Sequence, residues 1–210
     1  MSAPRRALIV IDPQQEYFTG LLPIAYPPRE ESILRIADAI DAAERAGIPV
    51  VMVQHTAGDA APVFNPDRPE FRIHESLERR DAGAWKRVVK QFSSIFPETG
   101  MQEWLTENGI DTITLVGFMT NNCVIATAAD AETRGVTVEV LSDATGAIDI
   151  ANDAGSSDAK TVHTTLMALL HSNWACVAST TAWVDALGTG TALSRGTLPE
   201  SAAAGAAARA

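Results

Sequence analysis

Cysteine is scarce in this chain, and the two that occur, Cys123 and Cys176, stand in surroundings too unlike each other to suggest a pair. That excludes a disulfide-stapled scaffold and fits a reducing compartment. Long apolar runs are missing too. No stretch approaches the roughly 18 apolar residues of a membrane span, and the apolar run in MSAPRRALIVID is too short for a signal-peptide core. The expectation is a cytoplasmic protein with no membrane partner. Basic residues are in deficit, 16 Lys and Arg against 26 Asp and Glu, for a net charge of −10. A clustered basic face that could grip a phosphate backbone is not expected, and neither is a nucleic-acid partner. What the 210 residues do have is 46% hydrophobic content, enough for one full core, with no internal break that argues for two.

The apolar residues fall into short strand-like runs separated by helical stripes. Ala7–Asp12 (ALIVID) reads as a strand ending in a carboxylate, because Pro13 cannot extend a central strand. Ile33, Ile36, Ala37, Ile40 and Ala43 share one face of a helix over Ser32–Ala46, opened by Ser32 and closed by Gly47. Pro49–Gln54 is the next strand, and a strand, helix and strand of this length imply parallel pairing with a right-handed crossover. From His55 to Trp85 the periodicity stops, and Pro62, Pro66 and Pro69 interrupt a polar, acidic stretch. A long excursion over the carboxyl edge of the sheet is expected there. Val88–Phe96 resumes as an extended segment holding Lys90, followed by a short helix over Gln102–Glu107. Beyond it, Thr137–Leu141 reads as a strand and Ser157–His171 as a helix with Val162, Leu166, Leu169 and Leu170 inward. Ala175–Ala178 reads as the last strand, with Cys176 in the core. The folded domain is expected over 1–187, and 188–210, poor in aromatic and branched residues, reads as a flexible tail in which the alanine content leaves a helix open.

The chain is organised around Thr112–Gly135, TITLVGFMTNNCVIATAADAETRG. Ile113, Leu115 and Val116 suit a strand covered on both faces, Gly117 ends it, and a helix capped by Asn121 or Asn122 should follow. Val124, Ala128 and Ala131 form its inner face and Gly135 its end. Cys123 then lies in the first turn, where unpaired N–H groups favour an anion and ease loss of the thiol proton. A strand, a glycine turn and a helix presents a nucleophile at the carboxyl edge of a parallel sheet. Asp12 and Lys90, also at or near strand ends, can converge on the same rim.

Three stretches together resemble the isochorismatase-like cysteine hydrolases, a family that includes nicotinamidases, carbamoylsarcosine and maleamate amidases, and isochorismatase itself. They are ALIVIDPQQEYF, with Asp12, Gln14 and Phe18 at the family's positions; VKQFSSIFPETGMQEWL, around Lys90 and Phe96; and GFMTNNCVIATAADAETRGVTVEVLSDA, around Cys123. The resemblance runs from about Ala7 to Leu187. It implies a single-domain, three-layer α/β/α fold with a six-stranded parallel sheet of order 3-2-1-4-5-6. It also implies an Asp12–Lys90–Cys123 triad and a cis peptide between Phe118 and Met119 that turns the Met119 N–H toward that of Cys123 as an oxyanion hole.

The activity so implied is hydrolysis of a C–N bond in a small amide, imide, lactam or carbamoyl compound through a thioester. Alternatives are cleavage of a vinyl ether, as in isochorismatase, a non-catalytic relative kept for binding or oligomer contacts, and a redox role for Cys123. Pocket candidates are Phe18, Trp85, Phe92 and Phe118, with His55 and Asn122 as polar contacts. Nicotinamidases carry Asp-x-His after the second strand as a metal site, whereas Gln54-His55-Thr56-Ala57-Gly58 stands there in this chain, with only His74 nearby. No metal and no other cofactor is therefore expected, and nicotinamide is disfavoured as substrate. His163 and His171 read as helix-surface or interface residues. Family members are commonly oligomers, so a homodimer or homotetramer is expected.

Overall fold

The structure, a computed structural model, describes residues 3–81 and 83–209. The outermost ends of the expected domain and tail, at residues 1, 2 and 210, lie outside the described residues. Six parallel strands, β1 (Arg6–Ile11), β2 (Val50–His55), β3 (Lys86–Lys90), β4 (Thr112–Phe118), β5 (Thr137–Gly146) and β8 (Cys176–Ala178), form one sheet of order β3-β2-β1-β4-β5-β8. Two short antiparallel strands, β6 (Ile150–Asn152) and β7 (Gly155–Ser157), make a separate exposed hairpin that the sequence reading did not foresee. Apart from that hairpin, the order is the one the family resemblance implies.

Continuous apolar strands follow from having both faces covered. In β1, Leu8 and Val10 pack with α1 (Arg29–Arg45) and α6 (Thr180–Thr189). Ala7, Ile9 and Ile11 face α3 (Met101–Glu107), α4 (Ile125–Thr133) and α5 (Ala159–Asn173). Gly117 in β4 is required by a close approach: its φ is +99°, and a Cβ there would lie within 2.0 Å of the Ile11 carbonyl oxygen. That contact sets β4 hard against the end of β1, one residue before Asp12.

Several boundaries differ from the expectation for identifiable reasons. Ser32 does not open α1; the helix starts at Arg29 behind Pro28, and Ser32 is buried inside it. Asp158, which accepts from the Thr161 N–H, caps α5, and the buried face of that helix runs through Val162, His163, Met167 and Leu170. Leu169 is 40% exposed. The expected stripe of Val162, Leu166, Leu169 and Leu170 is buried at Val162 and Leu170, but it left out the polar His163, although 163, 167 and 170 share a helical face. His163 is consequently a core residue, not a surface one. His171 is half-buried and accepts the Val177 N–H. Cys176 is buried as expected.

The expected flexible tail contains a helix, α7 (Leu198–Ala207), started by a capping box between Thr197 and Glu200. No helix among the described residues is long and apolar enough to cross a membrane.

At the amino end of the sheet, Arg6 and Glu139 form a buried ion pair at 2.8 Å. Glu139 also accepts from Thr114 Oγ1 and Trp183 Nε1, and Arg6 donates to the Thr191 carbonyl, which ties β1, β4 and β5 to α6. Removing one partner leaves the other charge buried and unpaired. Arg6→Met is expected to cost about 3–5 kcal/mol in a urea titration at neutral pH; a loss below about 1 kcal/mol would show the network is not structural.

Candidate active site

β3, β2, β1 and β4 are neighbours in that order and all end at the carboxyl edge. Asp12 follows β1 directly and adopts a left-handed conformation (φ 47°), accessible to Asp at modest cost, which turns the chain at the rim. Lys90 is the last residue of β3, paired in register with His55 of β2. After β4, a cis peptide joins Phe118 to Met119 and a π-helical turn over Thr120–Val124 leads into α4. Cys123 therefore sits in that wider turn, and neither Asn121 nor Asn122 caps the helix with its side chain.

The three expected residues meet. Lys90 Nζ lies 2.8 Å from Asp12 Oδ2 and donates to Cys123 Sγ at 3.2 Å. It also reaches the Phe92 carbonyl at 3.2 Å and His55 Nδ1 at 3.3 Å, more acceptors than an ammonium has protons. All three are buried, Asp12 at 0%, Lys90 at 2% and Cys123 at 2% exposure. Burial raises the Asp12 carboxyl above its ordinary range, although Lys90 opposes it. Burial would lower Lys90, but the Asp12 charge and the hydrogen bonds to Asp12 and Cys123 outweigh it and hold the ammonium protonated. The thiol is pushed up to about 12 by burial and by Asp12, against the pull of Lys90. This corrects the expectation of an acidified thiol: at neutral pH Cys123 rests protonated.

His55 is held neutral, its pKa lowered to about 4 by burial and by the Lys90 charge. The Gln14 side chain grips its backbone at both ends, accepting from the His55 N–H at 2.8 Å and donating to the His55 carbonyl at 3.1 Å, and also donates to the Phe71 carbonyl. Since a free imidazole takes its proton near 6.5, the unfolded chain binds more protons between pH 6.5 and about 4, and His55's contribution to stability is lost as pH falls through that window. His55→Phe removes this linkage. In thermal unfolding the difference between variant and wild type should shift in the variant's favour from about pH 7 to about pH 4.5, and a pH-independent difference would contradict it.

A chain of aromatic rings leads away from Lys90. His55 meets Phe64 at 4.9 Å, Phe64 meets Tyr17 at 5.4 Å, and Tyr17 and Phe18 meet Phe118 at 5.5 and 5.8 Å. Phe18 also stacks on His74 at 4.4 Å. Phe18, His55 and Phe118 are thus gathered near the triad, and sequence reasoning missed Tyr17 and Phe64. Tyr17 is close enough that the charges of Cys123 and Asp12 add to burial in raising its phenol.

Of the other three candidates, one lies away from the triad and two stand at its outer edge. Trp85 precedes β3, so it lies at the opposite edge, buried with its Nε1 donating to Glu44 of α1. Phe92 contributes only its carbonyl, and its ring is 47% exposed. Asn122 is exposed and accepts from Ser93 Oγ, pinning the loop after β3 to the turn after β4. As for a metal, His55 spends Nδ1 on an ammonium that would repel a cation, and no group of three or more His, Cys, Asp or Glu among the described residues is arranged to hold one.

A buried acid, ammonium and thiol thus meet at the carboxyl rim of a doubly wound α/β sheet, the edge at which such folds hold their ligands. The chain belongs to the isochorismatase family: residues 6–181 match the Isochorismatase domain. It is 41% identical to an isochorismatase-like protein of Burkholderia xenovorans LB400 whose crystal structure superposes with a TM-score of 0.96 over 99% of both chains. The uncharacterised isochorismatase family protein YddQ of Bacillus subtilis (strain 168) is 31% identical over 180 residues, 85% of this chain and 98% of YddQ. N-carbamoylsarcosine amidase from Thermoplasma acidophilum is 28% identical with a TM-score of 0.60, over 68% of this chain and 84% of that one.

Proposed function

We propose that this isochorismatase-family hydrolase cleaves a C–N bond of a small amide, imide, lactam or carbamoyl compound through a thioester on Cys123. The observation that carries the reading is the single Lys90 ammonium at 2.8 Å from Asp12 and 3.2 Å from Cys123. With the thiol protonated at rest, nucleophile formation accompanies attack: Asp12 takes the S–H proton as the sulfur closes on the carbonyl carbon. The negative charge moves from carboxylate to sulfur while Lys90 remains in contact with both, so no charge is stranded in the buried site.

The oxygen of the tetrahedral intermediate is held by the N–H groups of Met119 and Cys123, and that of Met119 has no other protein acceptor among the described residues. Protonated Asp12 then gives its proton to the leaving nitrogen as the C–N bond breaks, leaving an acyl thioester. Water, deprotonated by the same carboxylate, cleaves the thioester to a carboxylic acid and returns the proton to sulfur. Near-complete burial of the sulfur favours a small substrate, and the rings of Phe18, Phe118, Tyr17 and Phe64 favour a flat one. The need for a free thiol is consistent with a reducing cytoplasm.

A panel of small amides, imides, lactams and carbamoyl compounds, assayed for ammonia or amine release, tests the proposal. Turnover is expected for at least one flat, uncharged member. Cleavage of a vinyl ether that persists in Cys123→Ala, with no amide hydrolysed by the wild type, would replace this reading by the isochorismatase-type one.

A further inference from the structure

The π-helical turn that carries Met119 and Cys123 is tied to itself, since the Met119 carbonyl accepts from both the Asn122 and Val124 N–H groups. It is anchored outward by side chains at two points. At the rim, Asn122 holds Ser93. Inside, fully buried Thr120, next to Met119, places its hydroxyl 3.0 Å from Nδ1 of His163 in α5, itself 3% exposed. The His163 ring and Ser142 of β5 also line one cleft. Burial lowers the imidazole's pKa and favours the neutral ring, which has one donor and one acceptor nitrogen; the Thr120 hydroxyl can serve either, so the bond forms in both tautomers. His163 thereby links the oxyanion turn to α5.

We propose that His163 is a positioning residue for acyl transfer, holding Thr120 so that the neighbouring Met119 N–H points at the developing oxyanion. The inference rests on the hydrolase reading above and goes beyond it: His163 touches no reacting atom, and its contribution is the placement of a donor whose value depends on direction.

The test separates carbonyl addition from thiol reactivity. p-Nitrophenyl acetate acylates a nucleophilic cysteine through a tetrahedral oxyanion and releases p-nitrophenolate in a burst. Iodoacetamide alkylates the same sulfur, forming a C–S bond as iodide leaves, with no oxyanion to stabilise. Both rates are measured for wild type, His163→Leu, His163→Asn and Thr120→Val, with Cys123→Ala as background. Leu is preferred to Ala because a cavity of about 420 Å³ beside the ring, lined by Tyr26, Ser142 and Met167 among others, would let water take over the bond to Thr120.

His163→Leu and Thr120→Val are expected to slow acylation by about tenfold or more while alkylation stays within about twofold of wild type. His163→Asn, whose side-chain oxygen can accept from Thr120, should restore most of the loss. Should His163→Leu not fold, the nearly isosteric Thr120→Val carries the test. Acylation at the wild-type rate in both variants, or acylation and alkylation falling together, overturns the inference alone. A wild type that is alkylated but never acylated at Cys123 overturns the hydrolase reading and this inference with it.

Discussion

Cys123→Ser is expected to lower kcat by about 10⁴-fold or more on any amide the wild type hydrolyses, and Cys123→Ala to leave nothing above background. The replacement hydroxyl fits the space, but it is a far weaker nucleophile, and Asp12 would have to take a proton from a group that gives it up less readily than the thiol. Both side chains are small, and their neighbours Thr120, Val124 and Phe118 are buried independently of them. Circular dichroism should therefore match the wild type, with midpoints within about 5 °C. Hydrolysis within about tenfold of wild type in Cys123→Ser would remove the sulfur from the chemistry.

The second large effect lies in the ion pair. Lys90→Met leaves the Asp12 carboxylate buried without a counter-charge, which is expected to cost about 3–5 kcal/mol of stability and about 10²–10⁴-fold in rate. The sign of the pH dependence follows from the raised Asp12 pKa. Without Lys90 the folded state holds the Asp12 proton still more tightly than the unfolded chain does, so the deficit of Lys90→Met is smallest in acid and grows as pH rises above the ordinary carboxyl range. Asp12→Asn loses the base outright and falls by a similar factor in rate.

The double variant Asp12→Asn/Lys90→Met separates fold from function. It carries no charge at either position, so most of the stability lost in Lys90→Met should return, while activity stays as low as in the worse single variant. Stabilities that simply add, measured in urea at neutral pH, would contradict the buried-pair account.

Asp12, Lys90 and Cys123 were legible because each lies at or just after the end of an apolar run, and parallel strands bring their carboxyl ends to one rim. Trp85 misled for the complementary reason. A residue just before a parallel strand lies at the far edge, and β3 begins at Lys86. His163 was set aside because a polar residue interrupts an apolar stripe; buried, it is partnered by Thr120, distant in sequence. The helix at the end of the chain was readable from Thr197 and Glu200, three residues apart before an alanine run, but the low-complexity composition obscured it.

The thiol's high pKa could not be read locally. Cys123's place in a turn at a helix start suggested an easily lost proton, whereas the closure of the site by residues from four strands decides the opposite. Phe64 joins the aromatic cluster because the segment after β2 folds back onto His55 and Tyr17, which periodicity cannot reveal.

The most direct test is to quench the enzyme in acid during turnover of a hydrolysed amide and map its peptides by mass. The account predicts an increment equal to the substrate's acyl group on the peptide containing Cys123, absent in Cys123→Ala. Continued turnover with Cys123 unmodified at every quench time, or the acyl group carried by Cys176 or any other side chain, would contradict it.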